Sequence, residues 1–109
     1  MGDCDLKFGL SHDIMNDFCN VFSAYQEIDH VVVFGSRAKN TFQDGSDIDL
    51  AVFAPTMSHD RFSQLWNQLD ELPLIFKLDV LHWDSLGNQP LKEKILRDGR
   101  KIYPISADQ

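Results

Sequence analysis

At 109 residues, with 43% hydrophobic and 25% charged side chains, the chain has the size and composition of one globular domain around one hydrophobic core. Its formal charge of −7 argues against a general nucleic-acid binder, which neutralises phosphates with clustered Lys and Arg. No apolar run reaches the length of a membrane span, the N-terminus lacks a basic-then-apolar signal pattern, and Leu6 breaks the myristoylation motif that Met1-Gly2 opens. Cys4 and Cys19 are too few for a disulfide framework, so a reduced, cytoplasmic protein is expected.

Residues 1–10 are mixed in character and expected to be loosely held. Ser11 suits an N-cap and Asp13 a first helical turn. Ile14, Met15, Phe18, Cys19, Phe22 and Tyr25 then recur at helical spacing, which predicts a helix over about 12–26 whose apolar face covers a sheet. Val31 to Phe34 follows as a short apolar run with the composition of a buried strand.

That strand runs into Gly35-Ser36. Glycine lets the backbone turn sharply and approach a ligand closely. Arg37-Ala38-Lys39 can begin a helix, whose first N–H groups would join the Ser36 hydroxyl in an anion cradle. Asp44-Gly45-Ser46 closes the polar connection, and Asp47-Ile48-Asp49 opens the next strand, Ile48 to Phe53. Side chains alternate along a strand, so Asp47 and Asp49 share one face while Ile48 enters the core. Their Cα atoms would lie about 6.6 Å apart, a spacing that suits carboxylates converging on divalent ions. Taken singly, a Gly-Ser pair is usually a turn and an Asp-x-Asp pair usually a solvated strand end.

Ala54-Pro55 ends that strand because proline cannot donate to the ladder. Ser58 reads as an N-cap, with Met57 and Phe62 placed as a hydrophobic staple. Phe62, Leu65, Trp66 and Leu69 carry a helical stripe to about Glu71, with Pro73 beyond it. His59 and Asp60, in its first turn, face solvent. Leu74 to Trp83 reads as a third strand, on which Lys77, Asp79 and Leu81 share one face and Leu78 and Val80 the other. Asp79 amid apolar residues is costly unless it is paired or binds a metal; Lys77 or a neighbouring strand could supply a structural ion pair. Ser85 to Gln89 is a loop. Pro90 suits the first position of a final helix to about Asp98, with Gly99 as its stop. Ile102-Tyr103 adds a short edge strand. The elements follow as α-β-α-β-α-β-α, an α/β (α+β) class with a small sheet covered by helices.

Gly35-Ser36, ten residues, then Asp47-x-Asp49 resembles the motif of the DNA polymerase beta nucleotidyltransferase superfamily, and in so short a chain its minimal nucleotidyltransferases. The resemblance is specific over the strand-turn-strand core and looser elsewhere. It implies a mixed sheet with the site at one end, and a single minimal nucleotidyltransferase domain over residues 1–109. It also implies a third carboxylate on a later strand, and Asp79 is the matching position. Asp47, Asp49 and Asp79 would then be the catalytic and metal-binding set for two Mg²⁺ or Mn²⁺ ions, which favour hard oxygen ligands. Gly35, Ser36 and Arg37 would hold the triphosphate. Lys39 suits a phosphate contact or a solvated helix face equally, and Lys77 a phosphate or a pair with Asp79. His12, His30, His59 and His82 show no zinc-type spacing and stand outside the site.

No segment reads as a dedicated acceptor-binding domain, so selection of the acceptor falls to loops, a homo-oligomer or another protein. By resemblance, such chains are the antitoxin-like half of two-component pairs. They transfer AMP from ATP to a tyrosine of a helical HEPN-type partner. A non-catalytic antitoxin acting by occlusion is the alternative, and it requires none of the three Asp residues. An antibiotic-modifying transferase is a third reading, disfavoured by the lack of an acceptor domain.

Overall fold

In the computed structural model the residues described are 12–35, 47–72 and 77–103. They form α1 (His12–Ser23), β1 (His30–Phe34), β2 (Ile48–Phe53), α2 (His59–Asp70), β3 (Leu78–His82), a short 3-10 turn (Trp83–Ser85), α3 (Gln89–Asp98) and β4 (Arg100–Tyr103). The sheet order is β3-β2-β1-β4. β1 runs antiparallel to both β2 and β4, whereas β2 and β3 are parallel, so the sheet is mixed. A parallel pair needs a crossover, and α2 supplies it.

Alternation along the strands sorts side chains into two layers. Val31, Val33, Ile48, Leu50, Val52, Leu78 and Val80 face α1 and α2, meeting Met15, Phe18, Phe22, Leu65 and Leu69 in one cluster. Val32, Phe34, Ala51 and Phe53 face the other way, where Ile95 of α3 packs against them with Leu81, Trp83, Leu86 and Leu91 at the margin. Phe18, Phe22, Leu65 and Leu69 are wholly buried. Each such side chain contributes roughly 1.5–3 kcal/mol by leaving water.

The helix caps follow from local chemistry. The Ser58 hydroxyl accepts from the Arg61 N–H at 3.2 Å, as its cap reading requires. α1 stops at Ser23, earlier than the apolar spacing suggests. The N–H groups of Ala24 and Tyr25 reach back only three residues, to Val21 and Phe22, and tighten the chain out of the α form. Tyr25 nevertheless stays buried. α3 begins at Gln89, one residue ahead of Pro90, because the Asn88 side chain caps the Leu91 N–H at 3.1 Å. Gly99 ends it with extended backbone and leads straight into β4. A Cβ there would stand 2.5 Å from the Ile95 carbonyl and 3.0 Å from Val32, so glycine permits the close passage from helix to sheet.

β3 ends at His82 rather than Trp83, since Trp83–Ser85 turns back and the Asp84 carboxylate accepts the Ala54 N–H at 2.8 Å. β4 begins at Arg100, two residues before the expected edge strand. The helix expected from Arg37 and the part of the third strand expected at 74–76 lie outside the described residues.

Candidate active site

Backbone register places the acidic side chains. Phe34 of β1 stands opposite Asp49 of β2, and Asp49 pairs in register with Asp79 of β3. Directly paired residues share a face, so Phe34, Asp49 and Asp79 form a row across three strands. The row lies on the face covered by α3, because Ala51 and Leu81, two residues further along β2 and β3, belong to the α3 layer. Asp47 precedes β2 by one residue and is exposed. Asp49 is half-buried and Asp79 exposed, so this end of the face is open to solvent.

Gly35 adjoins the row. Its φ of +78° lies in the left-handed region that glycine adopts without strain. A Cβ at this position would stand 2.6 Å from Asp49 Oδ2, so glycine lets the Asp49 carboxylate lie close against the backbone. Ser36, Arg37 and Lys39 lie outside the described residues.

The row is electrostatically unfavourable on its own. Burial pushes the Asp49 carboxyl above its usual range, and the negative charges of Asp79 and Asp47 push it further in the same direction. Asp79 has no hydrogen-bond or ion-pair partner among the described residues, so Lys77 does not neutralise it. A divalent cation would relieve this repulsion, and an all-carboxylate donor set suits Mg²⁺ or Mn²⁺. Among the described residues the carboxylates do not close into a three-ligand cage. Mg²⁺ seldom needs one, since it commonly takes one or two carboxylates and completes its shell with water and substrate phosphates. The residues therefore fit a cation that arrives with a phosphorylated ligand.

The other candidates fall elsewhere. His82 lies on the opposite face of β3, stacked on Phe62 with centroids 5.2 Å apart, and its Nε2 donates to the Ala54 carbonyl at 2.8 Å. His30 is at the far end of the sheet, stacked on Phe53 and 2.6 Å from Asp29. Asp84 serves the Ala54 N–H. Within the described residues, no further acidic side chain belongs to the row. Phe34, its apolar end, entered the sequence reading only as a core residue.

A family model described as "Polymerase beta, Nucleotidyltransferase" matches residues 16–108. No curated protein sequence matches the chain. Among solved structures, a toxin-antitoxin crystallised with AMP-PNP superposes with a TM-score of 0.67 at 22% identity, over 86% of this chain and 76% of that one. The toxin-antitoxin MntA-HepT superposes with a TM-score of 0.64 at 19% identity, over 90% and 76% of the respective chains. At such identities the likeness is one of fold.

Proposed function

The chain belongs to the polymerase beta nucleotidyltransferase family, and on that premise we propose that it moves AMP from ATP to a hydroxyl of a HEPN-type partner protein, as the antitoxin half of a two-component pair. The observation that carries this reading is the row of Asp49 and Asp79 on adjacent parallel strands, with Asp47 near enough to raise the Asp49 pKa. Occlusion of a partner needs no such row, whereas nucleotidyl transfer does. The toxin-antitoxin neighbours, one of them crystallised with AMP-PNP, support both the nucleotide and a toxin partner.

In this mechanism Asp47 and Asp49 hold two Mg²⁺ or Mn²⁺ ions, and Asp79 is the third carboxylate of the set. When bound, such ions polarise the transferring phosphoryl group and offset charge on the attacking and leaving oxygens. Gly35, Ser36 and Arg37 would hold the β- and γ-phosphates of the triphosphate, with the Gly35 backbone lying close against Asp49. The acceptor oxygen, a tyrosine hydroxyl of the partner, forms a bond to the α-phosphorus. The bond from that phosphorus to the bridging oxygen breaks, and pyrophosphate leaves. The acceptor proton passes to the Asp79 carboxylate and from there to solvent. Apart from that proton, the protein's work is positioning and charge compensation. We propose that it acts in the cytoplasm.

The test is to incubate the purified chain, each nucleoside triphosphate in turn, Mg²⁺ or Mn²⁺ and the product of the neighbouring gene, and to read intact masses. The partner is expected to gain the mass of one or more AMP units, and Asp49→Asn should reduce the rate by at least about a hundredfold, as loss of a charge-stabilising group does. A complex that forms without any mass gain would leave occlusion as the function.

A further inference from the structure

The overall charge of −7 conceals a strong asymmetry. Lys92, Lys94, Arg97, Arg100 and Lys101 are half of the ten Lys and Arg residues, and they fall within ten consecutive positions. With Glu93 and Asp98 subtracted, this stretch carries +3 and the rest of the chain −10. The stretch is α3 and the start of β4. At its centre is Leu96, 61% exposed, the single large apolar side chain left exposed among the described residues.

The geometry explains how Leu96 comes to stand among cations. Leu91 and Ile95 turn the inner side of α3 onto the sheet. Leu96 follows Ile95 by about 100° around the helix and points away from that contact. Lys92, one turn earlier on the same side, lies with its ammonium 4.1 Å over the Trp83 ring, which fixes one end of the ridge. Lys101 pairs with Val32 on the sheet face that α3 covers, and it is exposed.

We propose that this ridge, with Leu96 as apolar anchor, Lys92 one turn before it, Arg97 beside it with its guanidinium 3.4 Å from Asp98, and Lys101 on the strand that follows, docks an acidic surface of the partner protein. The proposal rests on the partner-modifying reading above and assigns the partner a contact apart from the carboxylate row. An exposed apolar residue within a charged stretch suits a protein interface, in which the anchor gives affinity and the surrounding charge steers encounter. A nucleic-acid backbone gains nothing from Leu96 and is repelled by the remaining −10 charge. A second copy seated face to face would set these cations against one another, and Arg100 and Lys101 on an edge strand also discourage pairing between sheets.

The experiment is calorimetric titration of the full chain with the product of the neighbouring gene, without nucleotide, at low and high salt. Leu96→Asp and Lys101→Glu are compared with Asp60→Asn on α2 as control. Leu96→Asp is expected to weaken the complex at least about tenfold, as loss of an interface anchor does. Lys101→Glu should weaken it too and reduce its salt dependence, while Asp60→Asn should leave it unchanged. Thermal melts of both ridge variants should match the native chain, since neither side chain is buried. The proposal is overturned by unaltered affinity in Leu96→Asp, by absence of any complex, or by a ridge that binds RNA or a second copy instead. Nucleotide transfer is read separately by mass. Transfer without a Leu96-dependent complex refutes the docking surface alone, and a Leu96-dependent complex without transfer refutes the catalytic reading alone.

Discussion

Asp49 carries opposing demands. It sits half-buried beside two other carboxylates, and all three influences on it favour the neutral form. Its folded-state pKa lies above the unfolded value, so the stability it contributes is complete below the unfolded pKa and is lost as pH rises through the folded one. At neutral pH the charged row therefore costs stability. Asp49→Asn should melt higher than the native chain at neutral pH, and the difference should vanish on acidification, as calorimetric melts across that range would record. Equal melting temperatures at neutral pH would mean that the row is not strained. Glu27 titrates with the opposite sign. Its hydrogen bonds to Arg61, at 2.7 and 3.1 Å, hold its carboxyl below the usual range, and the stability they give is lost as pH falls.

At the scale of elements, α2 determines whether Asp79 reaches Asp49, because it is the crossover that lays β3 parallel to β2. Leu65 and Leu69 pin it to the sheet, and Arg61 ties it to the segment after α1 through Glu27 and a contact 4.7 Å over the Tyr25 ring. Leu65→Ala should destabilise the fold by about 2–5 kcal/mol, the range for emptying a buried leucine site. Denaturant unfolding would measure that loss, and a change below about 1 kcal/mol would mean that α2 relaxes to fill the space. The sequence marked these elements well where periodicity and capping agreed, as at Ser58 and over Ile48 to Phe53. It marked them less well where hydrogen bonding beyond the pattern decides, as where α1 tightens at Ala24 and Tyr25. The parallel pairing of β2 with β3 was not legible at all, since strand direction depends on the crossover rather than on residue type. Alternation predicts Asp47 and Asp49 on one face, but only the register pairs Asp79 with Asp49.

Across the whole molecule, two features divide the surface. The carboxylate row occupies one end of the sheet, next to the left-handed turn at Gly35. The basic ridge occupies α3 and the edge strand, on a chain that is otherwise strongly acidic. Net charge was a poor guide here, because summing over the chain cancels a local +3 against a distributed −10. The resemblance to the polymerase beta family was legible because Gly35-Ser36 and Asp47-x-Asp49 stand at a fixed spacing in the chain. The ridge has no motif, and it became visible only once Leu96 was seen to be exposed.

The most direct test is equilibrium dialysis of Mn²⁺ against the full chain with a non-hydrolysable ATP analogue. Native protein should retain Mn²⁺ in a nucleotide-dependent way, and Asp49→Asn should lose most of that retention. Equal retention by both proteins, or none by the native chain, would contradict the assignment of the row as a cation and triphosphate site.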